Sequence, residues 1–287
     1  MPLTHDFKET IRARAQADPA FRQELLREAI ECYIGGDLET GKAVLRDYVN
    51  ATVGFQDLEK HTRAGARWVL LSAPTKDGSV ETVVHGANTG RGAQNIISCA
   101  SCTTNCITPI VEIIGRRIGF TKAAMTTVHA YTSSQSVVDG PNRRFRRGRA
   151  AGANLVPATT GAALATARAL PEYAGRFDGI AVRAPVPVGS IADLTFVTAR
   201  NTSVEEVNRI LAEEAETKRY AGVLGVSRDP LVSSDIIGDP RASVVDLDLT
   251  KVIDGDLVKI MSWYDNEWGY ANQMLREALS LTGLGQR

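Results

Sequence analysis

The chain has 287 residues and a mass of 30.9 kDa, with 33 Lys and Arg against 33 Asp and Glu, so its formal net charge is zero. A neutral balance gives no electrostatic reason to expect nucleic acid or an anionic membrane surface as a partner. With 44% hydrophobic and 23% charged residues the composition is that of a globular protein and excludes disordered and collagenous classes. No apolar run approaches the roughly 18 residues of a membrane span. Asp6 and Glu9 stand where a signal peptide needs an apolar stretch, so a cytoplasmic protein without membrane association is expected.

Residues 1–58 read as a helical segment. Phe7, Ile11 and Ala15 share one helix face, and Asp18-Pro19 supplies an N-cap and first-turn proline for a second helix carrying Phe21, Leu25, Ala29 and Tyr33. Gly35-Gly36 ends it, and Ala43, Val44 and Tyr48 begin a third pattern. Residues 1–60 hold eight basic and eleven acidic side chains, a net charge of −3, which argues against this segment gripping phosphates alone. From residue 67 the period shortens. Residues 68–73, 82–86 and 95–98 predict buried strands, and residues 107–118, with Ile110, Ile113 and Ile114, predict a helix that starts near Cys102. Residues 122–131 predict a strand parallel and adjacent to the one before Cys102. A Gly/Arg/Ala-rich loop over 139–161 follows, then a helix near 163–169 and two strands at 180–188 and 191–200. Ser203 caps a helix with Glu206 at capping-box spacing. Strands at 244–249 and 257–263 and a helix over 267–281 complete an α/β chain: a mixed-sheet α+β catalytic domain, a truncated Rossmann-like remnant and the N-terminal helices. The implied domains are 1–58, 59–101, 102–264 and 265–287.

Three of the four cysteines are crowded at Cys99, Cys102 and Cys106. A thiol attacks only as thiolate, and a helix start or a neighbouring imidazolium lowers its pKa. Cys102 stands at a predicted helix start, and His129, 27 residues on, ends the next strand, so the two fit a nucleophile and general base, with a depressed thiol pKa. A zinc or iron–sulfur reading of the same cysteines lacks a second clustered pair, since Cys32 stands far upstream, so no metal is expected. Cys106 reads as a core residue one turn below Cys102. Eight basic residues against Asp139 give 116–149 a net charge of +7, which suits either a phosphate or a subunit contact. Ser101, Thr103, Thr132, Thr159 and Thr160 are hydroxyls able to donate to such a phosphate.

The run Ala100-Ser101-Cys102-Thr103-Thr104-Asn105-Cys106 closely resembles the active-site signature of the phosphorylating glyceraldehyde-3-phosphate dehydrogenase family. Further blocks resemble the same family in the same order: His129-Ala130-Tyr131-Thr132, residues 154–163, Arg183-Ala184-Pro185-Val186-Pro187 and residues 262–270. The resemblance extends over about residues 61–281. It implies that Cys102 attacks an aldehyde and His129 serves as base. Thr132 and Arg183 would hold the substrate's phosphate, while Ser101, Thr103, Thr160 and Gly161 would receive inorganic phosphate. Asn266 and Tyr270 would attend the nicotinamide of NAD. It also implies a phosphorylated aldehyde as substrate and a homo-oligomer.

The departures from the family pattern lie upstream. Members open with a strand and a G-x-G-x-x-G turn for the dinucleotide pyrophosphate, and these 287 residues contain no such fingerprint in that context. Cys99 stands where the family usually has Asn. Residues 4–58 resemble instead the N-terminal helices of small antitoxin-like bacterial regulators, without their recognition helix. NAD-dependent phosphorylating aldehyde oxidation is therefore the first functional expectation. A non-enzymatic regulatory or interaction protein, or an inactive fusion remnant, stands as the alternative.

Overall fold

The computed structural model describes residues 14, 17–34, 60–75, 80–88 and 95–282. It divides into two compact units, Met1–Val69 and Leu70–Arg287. In the first, helix α1 spans Pro19–Ile34, and Asp18 caps it as the sequence suggests, its Oδ1 accepting the N–H groups of Ala20 at 2.9 Å and Phe21 at 3.1 Å. The first and third helices expected in residues 1–58 lie outside the described residues.

Two sheets follow. Val69–Leu71 (β1), Glu81–Thr82 (β2) and Ile96–Ser98 (β3) make a small sheet in the order β1-β3-β2, with β2 and β3 parallel. After helix α2, Cys102–Arg117, the chain builds a seven-stranded mixed sheet from Phe120–Ala130 (β4), Val156–Thr159 (β5), Phe177–Ala184 (β6), Ser190–Thr198 (β7), Leu224–Ser227 (β8), Ser243–Ile253 (β9) and Leu257–Tyr264 (β10). Its order is β5-β6-β4-β7-β10-β9-β8, the mixed α/β architecture that the strand and helix patterns imply. Helices Ala162–Ala169 (α3), Val204–Ala215 (α4) and Trp268–Thr282 (α5) complete it.

One expected pairing is wrong. β3 and β4 do not lie side by side as a β-α-β unit; β4 pairs in parallel with β6 and antiparallel with β7, and β3 belongs to the other sheet. The reason lies in β4's two neighbours, which come from further along the chain and offer eight- and nine-residue partners where β3 offers three residues.

Burial then decides which way the side chains point. Ser190, Ala192, Leu194, Phe196 and Thr198 alternate as the buried set of β7, and Val258, Ile260, Ser262 and Tyr264 as that of β10. Helix α2 contributes Ile107, Ile110, Val111, Ile113 and Ile114, all 0% exposed, to the same core. Each such side chain contributes about 1.5–3 kcal/mol on burial, enough to fix the rotation of the helix. Register sets the rest: His129 of β4 lies opposite Arg183 of β6, and Ser190 of β7 opposite Tyr264 of β10. The polar members of the buried face thus gather at one end of the sheet.

The far side of α2 is tied down by ions. Glu112, buried, receives Arg116 Nε and Arg219 Nη1 at 2.8 Å each and the Tyr220 hydroxyl at 2.6 Å. Arg219 also donates to the carbonyls of Gly86 and Ala87, and Arg116 and Arg117 reach Glu214. Two of the basic residues counted toward a phosphate site therefore serve the packing of α2 and α4. At α4, Ser203 caps as expected, yet the reciprocal half of the capping box is absent: Glu206 is held by Arg200 and Thr202.

Candidate active site

Cys102 is the first residue of α2. The turn that delivers it is fixed from three sides. Ser101 caps the helix, its Oγ accepting the Thr104 N–H. Asn105 Nδ2 donates to the carbonyls of Cys99 and Ser101, both at 2.9 Å. Ala100, a non-glycine residue at φ 58, is fully buried, and its carbonyl accepts the Tyr270 hydroxyl at 2.9 Å. A left-handed alanine is strained backbone, held here by its surroundings. It aims the next turn of chain so that the first N–H groups of α2 point at the Cys102 sulfur.

His129 Nε2 lies 3.4 Å from Cys102 Sγ. The ring's other nitrogen has two neighbours of opposite character, the Ala130 carbonyl at 2.7 Å and Arg183 Nη1 at 2.5 Å. Each neutral tautomer gains one of these partners and sets Nδ1 against the other. With its proton on Nδ1, the ring donates to the carbonyl and leaves Nε2 bare to take a proton from the thiol; with Nδ1 bare, it accepts from Arg183, and Nε2–H faces the sulfur. Burial, helped by Arg183, lowers the imidazole to about 4, so the ring is neutral at pH 7.

The expected depression of the Cys102 pKa is not what the site produces. Burial pushes the thiol above its ordinary value; hydrogen bonding from the Thr103 backbone and hydroxyl, the charge of Arg183 and the Cys102 N–H oppose it without prevailing. On these directions the resting pair is a neutral thiol beside a neutral imidazole. Cys99 and Cys106 are more deeply inert: both are buried and pushed up to about 12. Cys106 is the core residue anticipated, 0% exposed. Among the described residues no group of three or more His, Cys, Asp or Glu is arranged to hold a metal ion.

A cleft of about 190 Å³ opens over the pair. Ser101, Cys102, Thr103, His129, Thr159, Thr160, Gly161 and Arg183 line it, together with Thr127 and Pro74. Of the residues that the family resemblance implies for phosphate, all but Thr132 are in this lining, and none of the Lys or Arg residues of 116–149 is. Thr132 lies in the turn after β4, bonded through Oγ1 to Ser134 Oγ at 2.9 Å, which in turn accepts Arg147 Nη1 at 2.9 Å. Arg183 Nε is buried with no partner, the state of a guanidinium prepared for an anion. Within the Arg-rich loop, Arg149 is spent on Asp139.

Asn266 and Tyr270 lie outside the cleft lining. Asn266 Oδ1 accepts from Gly189 N and Ser190 Oγ, both at 3.1 Å. An amide held through its oxygen keeps two N–H donors, which suit the oxygen of a carboxamide. Tyr270 has its hydroxyl committed to Ala100, leaving the ring face. This set fits the nicotinamide end of NAD, while the pyrophosphate end has no glycine-rich counterpart in the sequence.

Three residues of the site were missed by sequence reasoning. Ser190 bridges Asn266 and the Ala130 N–H at 3.1 Å. Tyr264, 1% exposed, packs edge-on to the His129 ring with centroids 5.9 Å apart and bonds to the hydroxyls of Thr103 and Thr127. The only local signal was the alternation that turns Thr127, Ser190 and Tyr264 inward, and it does not separate a site residue from a core one.

A cysteine at a helix N-terminus over a mixed sheet thus faces a histidine and an arginine on adjacent strands. Residues 101–266 match the family model described as glyceraldehyde 3-phosphate dehydrogenase, C-terminal domain. The chain is 46% identical over 222 residues to glyceraldehyde-3-phosphate dehydrogenase 2 of Streptomyces avermitilis, covering 76% of this chain and 66% of the relative. It is 48% identical over 225 residues to glyceraldehyde-3-phosphate dehydrogenase of Mycolicibacterium smegmatis, covering 78% and 65%, and 43% identical over 232 residues to that of Zymomonas mobilis, covering 79% and 69%. The chain belongs to the glyceraldehyde-3-phosphate dehydrogenase family and carries its C-terminal domain. It spans just under two thirds of the length of the first two relatives named. The family match covers none of residues 4–58, and the resemblance of that segment to antitoxin-like regulators finds no support among these relatives. Among the described residues no helix is long and apolar enough to cross a membrane.

Proposed function

We propose that the chain carries out the thiol chemistry of a phosphorylating aldehyde dehydrogenase: oxidation of glyceraldehyde 3-phosphate, or a closely similar phosphorylated aldehyde, with inorganic phosphate as co-substrate and NAD as acceptor. The observation that carries the reading is the 3.4 Å approach of His129 Nε2 to Cys102 Sγ at the floor of a cleft lined by hydroxyls and Arg183. Cys102 attacks the carbonyl carbon as its proton passes to His129, giving a thiohemiacetal. The Cys102 N–H and His129 Nε2–H then face the new oxyanion. Bound NAD supplies one thing, acceptance of hydride from the carbon attached to the sulfur, with Asn266 and Tyr270 holding its nicotinamide. Phosphate, received by Ser101, Thr103, Thr160 and Gly161, opens the resulting thioester, and Arg183 with Thr132 holds the substrate's own phosphate. The unpartnered Arg183 Nε supports that last role.

On the family resemblance the reading extends to a cytoplasmic homo-oligomer and to domain boundaries near residues 58, 101 and 264. The test is NADH formation from glyceraldehyde 3-phosphate, NAD and phosphate by the full chain, dependent on phosphate, lowered about a thousandfold or more in Cys102→Ser. A folded protein that binds no NAD and forms no NADH would turn the account toward the non-enzymatic alternative.

A further inference from the structure

Asn266 follows the end of β10 by two residues, and the register that sets Tyr264 opposite Ser190 brings it to the corner where β7 begins. Its Oδ1 accepts from the Gly189 N–H and from the Ser190 hydroxyl, both at 3.1 Å. Ser190 Oγ in turn accepts the Ala130 N–H at 3.1 Å. Both side chains are buried. The groups that close this short line, Ala130 N–H at one end and Gly189 N–H at the other, belong to the backbone and can only donate. The directions between them are therefore fixed. Because Ala130 donates to Ser190 Oγ, the single Ser190 proton is left for Asn266. Because Gly189 and Ser190 both donate, the edge of the amide that meets them must be its oxygen. A flipped amide would set NH2 against the Gly189 N–H with no acceptor between them, which is costly in a buried corner. The Asn266 side chain thus turns N–H donors, and not its oxygen, away from this corner.

We propose that Ser190 is a positioning residue for the nicotinamide: acting through Asn266, it locks the amide with its N–H donors turned to the carboxamide oxygen of the cofactor. The proposal rests on the reading of Asn266 as the residue that holds the nicotinamide. The Ser190 hydroxyl is spent on Ala130 and Asn266, so its effect passes through the amide. The same hydroxyl braces the end of β4, where the Ala130 carbonyl lies 2.7 Å from His129 Nδ1. One serine therefore ties the strand end that carries the base to the side chain that orients the hydride acceptor. A locked amide also sets specificity, since it receives a ring substituent that accepts and opposes one that can only donate.

The experiment is calorimetric titration of the full chain with NAD and, separately, with ADP-ribose, which lacks the nicotinamide. No turnover is required. Ser190→Ala is expected to weaken NAD binding about fivefold, the effect of one neutral hydrogen bond, and to leave ADP-ribose binding unchanged. Asn266→Ala is expected to weaken NAD at least as far, and the double variant no further than Asn266→Ala alone. A serine that only supported the fold would weaken both ligands alike or neither. Ser190→Cys, close in volume and a weak hydrogen-bonding group, is expected to match Ser190→Ala and decides the matter if that variant does not fold. Unmoved NAD affinity in Ser190→Ala, or in Ser190→Cys in its place, overturns the proposal. Equal losses for the two ligands overturn it too, as does a further loss when Ser190→Ala is added to Asn266→Ala. The nicotinamide reading fails by a different result, a parent chain that binds NAD no tighter than ADP-ribose or binds neither, and the proposal falls with it.

Discussion

Arg183 Nη1 stands 2.5 Å from His129 Nδ1, so a permanent cation touches the nitrogen opposite the one that faces Cys102 Sγ. The parallel register of β4 and β6, which sets the two residues side by side, makes the contact unavoidable. Its consequence is electrostatic. The imidazole is held neutral by burial first and by the Arg183 charge second, and a neutral ring is the form that can take a proton from Cys102.

Replacing Arg183 with Gln should raise the His129 pKa toward its ordinary value by up to about one unit, because the cation's contribution is lost while burial remains. Titration of the His129 ring by NMR would record the shift. A ring that titrates unchanged would mean that Arg183 is screened from it.

The same lowered pKa has a stability counterpart. An unfolded His129 takes up its proton near the ordinary value of 6.5, while the folded ring resists protonation until about 4. The unfolded state therefore binds more protons in this window. The contribution is fully present above pH 6.5 and is lost as pH falls toward 4, amounting to about 3 kcal/mol. Urea unfolding at pH 7 and pH 4.5 should show the parent losing more stability than His129→Asn; identical losses would contradict the assignment.

Gly189 joins β6 to β7 with φ 91, and a Cβ there would collide with the Ser233 carbonyl. Its N–H also fixes Asn266. Gly189→Ala should cost about 2 kcal/mol or more, seen as a lower denaturation midpoint with unchanged slope. Gly152, where an added Cβ meets nothing within 4 Å, is the matched control and should tolerate alanine with little change.

Glu112 gathers three donors against a buried carboxylate. Glu112→Ala leaves Arg219 and Tyr220 facing one another across the gap and should destabilise by about 3–5 kcal/mol. Retention of the parent's thermal midpoint would show that the cluster is water-filled rather than cohesive.

Much of this was legible in the sequence because it is local. The Ser101 and Ser203 caps, the isoleucine stripe of α2 and the alternation of β7 and β10 are written within one element each. The edges were harder: β5 has a proline, Pro157, inside four residues, and β8 includes Gly225 and spans four residues at the far edge, so neither carries a strand signal. The pairing of β4 with β6 and β7 depends on which long strands meet, and single-sequence periodicity does not encode that. The Cys102 pKa went the wrong way for a related reason. A helix start and a histidine can be read from spacing, whereas burial beneath the cleft is a tertiary fact that outweighs both. Tyr264 lies 161 residues from Thr103 and 137 from Thr127, and only the folded sheet brings them into line.

The central claim is that Cys102 carries the substrate as a thioester. Intact-mass and peptide-mapping spectrometry of the chain mixed with glyceraldehyde 3-phosphate and NAD, without phosphate, tests it directly. The account predicts an acyl adduct on Cys102 that disappears when inorganic phosphate is added and never forms in Cys102→Ser. A folded chain that stays unmodified under these conditions, or one labelled at another residue, would contradict it.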